Sequence, residues 1–159
     1  VHAIARRIHA ARRRIRICSP VITSGPVLGT LAELLEAVPA GLSIGGAFDG
    51  TQMREVMAQW AGSGTAGWKM EAFRSIVNSG LFSAKASTPY GEGTVHDFMH
   101  AKLAVLDDRV FVGSFNLSHS GESNAENVLE IEDAPLADLC ADFVDLVAAR
   151  YPKASSLGD

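Results

Sequence analysis

Between residues 98 and 113 the chain carries two short, apolar, β-prone runs broken by Asp107-Asp108. Acidic residues at such a break favour a tight turn, so 98–106 and 109–113 read as a strand and its return. The rest of the chain alternates helical and strand patterns. A helix over 2–13 feeds a strand over 14–18, and Ser24-Gly25-Pro26 starts a helix with the stripe Leu28, Leu31, Leu34, Leu35 and Val38, closed by Pro39. A strand over 42–48 leads to a helix opened by Asp49-Gly50-Thr51, with Met53, Val56, Met57 and Trp60 on its buried side. A helix over 68–78, strands over 81–86 and 127–131, and a closing helix over 135–150 complete the pattern. The expected fold is α/β, with a mixed β-sheet flanked by helices on both faces.

With 159 residues, 47% hydrophobic and 20% charged, the composition is that of one globular domain. No apolar run is long enough to span a bilayer, and the start Val-His-Ala-Ile-Ala-Arg-Arg lacks a signal-peptide core, so a cytoplasmic location is expected. A chain opening on Val1 rather than Met also suggests processing or a piece of a longer protein. Cys18 and Cys140, two and far apart, are expected to be free, buried thiols.

The net charge of −4 is unevenly placed: Arg6, Arg7, Arg12, Arg13, Arg14 and Arg16 are six of the 14 basic residues. They read as a phosphate-binding arm or as the solvated face of an amphipathic helix. The second reading is favoured, because Ile4, Ile8 and Ala11 recur at helical spacing.

The chemistry concentrates in His100-Ala-Lys102-Leu-Ala-Val-Leu-Asp107, followed by Gly113-Ser114-Phe115-Asn116. Two residues apart in a strand, His100 and Lys102 point to one side. A neutral imidazole beside a fixed cation is the pairing that attacks and then holds an anionic phosphoryl group. Ser114 and Asn116 repeat that spacing after the returning strand and offer hydroxyl and amide donors to the same anion.

His-x-Lys-x4-Asp, then Gly-Ser-x-Asn, then an acid in Ala-Glu-Asn-Val, resembles the phospholipase D superfamily. The motifs run from about His96 to Glu132, and the α/β order before them extends the resemblance over nearly the whole chain. Five residues separate Asp107 from Gly113 where the pattern has about six, a difference that a tighter hairpin absorbs.

The resemblance implies a phospholipase D-like fold and residue roles. His100 would be the nucleophile of a covalent phosphohistidine, and Lys102 would hold the non-bridging oxygens. Asn116 and Ser114 would add neutral donors, and Glu126 would orient the imidazole through its second nitrogen. Asp107 completes the catalytic set by motif, with a structural role at the turn expected of it. One imidazole cannot both attack phosphorus and protonate the leaving group from the far side. A second His100 from a homodimer partner, or a companion domain carrying its mate, is therefore expected.

His96 and His100 also stand at a zinc-ligand spacing, with Asp97 beside them. The absence of His-Glu-x-x-His and the β-prone residues from 100 onward disfavour that reading, so neither metal nor cofactor is expected. His119 is a candidate cleft residue. Trp60, Phe73 and Phe82 are expected in the core, whereas Trp68, Tyr90 and Phe98 border loops near the cleft, where Gly91 and Gly93 offer hinge freedom.

The function expected is metal-independent phosphodiester cleavage or transfer, with a slight preference for a nucleic-acid backbone. A phospholipid hydrolase or transphosphatidylase is the alternative, and a catalytically dead scaffold comes third, disfavoured by the intact residue set.

Overall fold

The computed structural model describes residues 1–89, 91–118 and 125–155; Tyr90 and His119 lie outside the described residues. The elements run α1 (His2–Ala10), β1 (Arg14–Ser19), α2 (Gly25–Glu36), β2 (Ser43–Asp49), α3 (Gly50–Ala61), α4 (Gly67–Asn78) and β3 (Phe82–Lys85). β4 (Leu103–Leu106), β5 (Arg109–Gly113), β6 (Val128–Glu132) and α5 (Ala134–Ala149) follow. The six strands form one sheet in the order β3-β2-β1-β4-β5-β6. β3, β2 and β1 are parallel, while β4, β5 and β6 pair antiparallel.

Strand alternation sorts the side chains onto two faces. Ile15 and Ile17 of β1 and Phe48 of β2 join Ile8 of α1, Leu28 and Leu31 of α2 and Phe73 of α4 in the larger core. Phe48 meets Phe73 edge-on, ring centroids 5.2 Å apart. On the opposite face Arg16 reaches α5, its Nε donating to Asp145 at 2.6 Å, and Cys18 packs with Val144. Helices thus cover both faces. Gly46 is obligatory where β2 pairs with β1 at Ile17, because a Cβ there would stand 2.0 Å from the Ile17 carbonyl oxygen.

Helix starts follow local chemistry. Asp49 caps α3 by accepting from the Gln52 amide at 3.0 Å, and Asp133 caps α5 by accepting from Leu136 at 2.8 Å. Leu28 and Leu31 are fully buried as expected, whereas Val38 lies beyond the end of α2 and is exposed. Phe73 and Phe82 are core residues, with Trp60 partly buried against the same cluster.

Four features depart from the sequence reading. The first helix stops at Ala10, because the Asp107 carboxylate takes the amides of Arg12, Arg13 and Arg14. β4 begins only at Leu103, so residues 98–102 approach it without strand pairing. The arginines near the N-terminus do not share one solvated helix face: only Arg6 and Arg7 lie on α1, and Arg7 pairs with Glu130, Arg13 with Asp108, Arg14 with Asp138 and Arg16 with Asp145. Both cysteines are free, but only Cys18 is buried, and desolvation pushes its thiol up to about 11; Cys140 is half-buried.

Candidate active site

The carboxyl ends of β1, β2 and β3 face the same way as the start of β4, the end of β5 and the start of β6, as the registers Cys18↔Leu103, Leu103↔Val112 and Gly113↔Val128 require. His100 and Lys102 precede β4, Ser114 and Asn116 follow β5, and Glu126 precedes β6. Five of the six motif residues therefore gather at one end of the sheet. This is the end where open α/β sheets bind ligands.

Lys102 folds back so that Nζ donates to the His100 carbonyl at 2.9 Å. Its stem lies in a narrow apolar cleft with Ile4, Ala104, Phe111, Phe115 and Leu117. Loss of water there pushes the ammonium's pKa down, and the negative charge of Glu126 opposes the shift. A partly dehydrated cation is a stronger partner for an anion than one in bulk water. The His100 side chain projects into solvent, and among the described residues its ring has no hydrogen-bond partner.

Ser114 and Glu126 form a clasp across the β5–β6 ends. The Ser114 amide donates to the Asn127 carbonyl and to its Oδ1, each at 3.1 Å. The Asn127 amide donates to Ser114 Oγ at 3.1 Å, and that hydroxyl gives its own proton to Glu126 Oε2. Gly113 makes the approach feasible, since a Cβ would lie 2.2 Å from the Asn127 carbonyl oxygen. The structure thus gives Glu126 a partner the sequence reading did not foresee: its carboxylate holds Ser114, and the Ser114 proton is already committed. Asn116 Oδ1 is buried without a hydrogen-bond partner. Such an unpaired acceptor works against stability and is the kind of exception that functional sites carry.

Asp107 stands apart from these five. It occupies the hairpin turn at φ 55°, roughly 15 Å from Lys102 at the rise of an extended chain. Its Oδ1 accepts from the Arg12, Arg13 and Arg14 amides at 3.2, 2.8 and 3.1 Å. Partial desolvation would raise its pKa, but the amides of Arg13, Arg14 and Arg12 outweigh this and lower it. Leu106 pairs directly with Arg109, so the turn holds two residues and the short Asp107–Gly113 spacing is accommodated.

Of the zinc-like trio, His96 stacks on Phe98 with centroids 5.9 Å apart, while Asp97 is held by Lys85 Nζ at 2.8 Å and the Thr88 amide at 2.6 Å. Among the described residues no three His, Cys, Asp or Glu side chains converge into a metal-binding group. Trp68 lies over α2 at Gly25 and Gly29, and Phe98 is half-buried. No described helix is long and apolar enough to cross a membrane.

Strand order and motif positions together define a phospholipase D-like domain. The chain belongs to the family described as cardiolipin synthase, PLD-like domain, whose model matches residues 4–146. The fold is shared with a phospholipase D family member, Nuc, from Salmonella typhimurium (TM-score 0.65, 19% identity, 94% of this chain and 86% of that one). It is shared equally with NucT from Helicobacter pylori (TM-score 0.63, 16% identity, 95% and 87%). Phosphatidylserine synthase from Haemophilus influenzae Rd KW20 also matches (TM-score 0.66, 17% identity), over 96% of this chain but only 36% of the synthase. At these identities the likeness is one of fold. No curated protein matches the chain's sequence closely enough to count as a relative.

Proposed function

We propose that the chain is a metal-independent phosphodiesterase that works through a phosphohistidine on His100, with a slight preference for a nucleic-acid backbone. The observation that carries this is the convergence of an exposed imidazole, a partly dehydrated ammonium and an amide side chain at one end of the sheet. The His100 ring nitrogen donates its lone pair to phosphorus as the bond to the leaving oxygen breaks. Lys102, with the Asn116 amide, balances charge on the non-bridging oxygens. Water or an alcohol then attacks phosphorus, releases the histidine and gives up its proton.

Glu126 has two roles open to it in that sequence. Its carboxylate holds Ser114; with a phosphoryl group bound, the Ser114 hydroxyl turns toward the anion and the carboxylate is released to the imidazole. The proton for the leaving group must come from a second acid opposite His100. A symmetric partner's equivalent histidine supplies it in a homodimer, and a companion domain would do so in a longer chain.

The preference for nucleic acid rests on size: this chain spans most of Nuc and of NucT but about a third of the phosphatidylserine synthase. The ion pairing of the N-terminal arginines removes one argument for it. A phospholipid substrate is the second reading, supported by the family description. The two separate when wild type and His100→Ala are given labelled single-stranded DNA, RNA and short-chain phosphatidylcholine in the presence of a strong chelator. Nucleic-acid cleavage that drops at least about 10⁴-fold in His100→Ala supports the proposal. Turnover of lipid alone would move the substrate, and equal activity in the variant would remove the mechanism. Light scattering of a fully active, stable monomer would remove the homodimer.

A further inference from the structure

Asp49 is the only charged side chain among the described residues that is fully buried, at 0% exposure. Burying a carboxylate is costly unless every oxygen is met by a donor. A helix cap alone does not require it, because a serine or asparagine caps as well. Here Oδ1 accepts from the Gln52 amide at 3.0 Å and from Ser87 Oγ at 2.7 Å. Oδ2 faces another way and accepts from the Met99 amide at 2.9 Å. Ser87 and Met99 are the two feet of the segment joining β3 to β4, and Met99 is the residue before His100.

Other contacts reinforce these two points. Thr51 Oγ1 donates to the Ser87 carbonyl at 2.8 Å and accepts from its amide at 3.0 Å. The Met99 side chain is buried, its sulfur 3.5 Å from Cys18 Sγ. Asp97 ties the same two feet once more, through Lys85 and Thr88. With the Met99 amide fixed by Asp49 and its side chain fixed in the core, the direction in which the chain delivers His100 is set. No strand pairing does this, since β4 starts only at Leu103.

We infer that Asp49 is a positioning residue for His100, acting through the Met99 amide, and that a second side-chain oxygen is needed there because that amide takes an acceptor the helix cap does not supply. The inference rests on the proposed role of His100. Asp49→Asn tests it: the side-chain oxygen can still serve Gln52 and Ser87, but an NH2 group then confronts the Met99 N–H. With bis(p-nitrophenyl) phosphate as substrate, kcat should fall about 100-fold while KM changes by less than about threefold, as for a misplaced reacting group. Hydrogen exchange at the Met99 amide should speed up in the same variant.

Replacing the 98–99 peptide bond by an ester, which removes only that N–H, should reproduce the kcat loss even where Asp49→Asn folds poorly. Wild-type kcat in a folded Asp49→Asn protein, or in the ester variant, would overturn the inference. So would a loss confined to thermal stability. If His100→Ala retains full activity, the proposed mechanism fails instead, whatever Asp49→Asn does to exchange at Met99.

Discussion

The two ends of the β4–β5 hairpin carry polar residues of the same motif and treat them in opposite ways. At the turn, Asp107 accepts from three consecutive backbone amides and Asp108 pairs with Arg13. At the open end Ser114 and Glu126 hold each other, but the His100 ring is unpartnered among the described residues, Lys102 reaches only a carbonyl, and Asn116 Oδ1 is buried without a donor. Saturated polar groups hold a structure together, whereas groups left with bonding capacity are the exceptions that functional sites carry. On the proposed mechanism the histidine and lysine of the motif serve the chemistry, while its aspartate holds the turn.

The contrast breaks most readily at Lys102. Lys102→Ala should lower kcat on bis(p-nitrophenyl) phosphate by about 10²–10³-fold, the usual consequence of losing one charge-stabilising donor. Its melting temperature should stay level or rise, because the cation is partly dehydrated in the folded state. A variant equally active but less stable would put Lys102 with the scaffold.

Asp107→Ala should do the reverse. Three amides lose their acceptor and alanine must adopt φ 55°, so denaturant titration should show a loss of about 2–3 kcal/mol. The folded fraction should keep kcat within about threefold, as expected of sites this far apart. An undiminished stability with a Lys102-sized rate loss would erase the distinction between the two ends.

The smallest effect is expected in acid. The Asp107 carboxyl is partly desolvated, yet the amides of Arg13, Arg14 and Arg12 hold it below its ordinary range. Hydrogen bonding from Lys85 Nζ, and then from the Thr88 amide, lowers Asp97 to about 2. A carboxylate with a depressed folded-state pKa contributes stability that is complete above about pH 4 and is lost as pH falls through the folded value. Unfolding free energy should therefore decline below about pH 4, and Asp107→Asn should flatten part of that slope. An unchanged slope in the variant would mean that the turn aspartate is not proton-linked to folding.

Much of this was legible in the residues themselves. Alternating strand and helix patterns announced the mixed sheet, Asp107-Asp108 announced the turn, and Asp49-Gly50-Thr51 announced the start of α3. The two-residue spacings marked His100, Lys102, Ser114 and Asn116, which the fold does bring to one end. What could not be read depended on contacts between distant residues. Residues 98–102 look like strand, but the Met99 amide is drawn to Asp49, fifty residues earlier. The arginines near the N-terminus look like a basic helix face, yet their partners lie on the β4–β5 turn, β6 and α5. The Ser114–Glu126 clasp follows from the β5–β6 register, which no local spacing encodes.

Asp107 also bears on when the site comes into being. The parallel half of the sheet is built from the first 85 residues, whereas the motif residues lie within a short later stretch centred on a hairpin. A hairpin of that length closes locally and fast, but its contact with Arg12 spans 95 positions of chain and incurs the entropy of a large loop. The central strand β1 must wait for β4 to arrive before its second edge is covered. A chain emerging in amino-to-carboxyl order can thus pair its three parallel strands before residues 98–126 have been made. The turn aspartate can fasten to Arg12, Arg13 and Arg14 only once β4 has been made, so the covered edge of β1 and the residues around His100 arrive together.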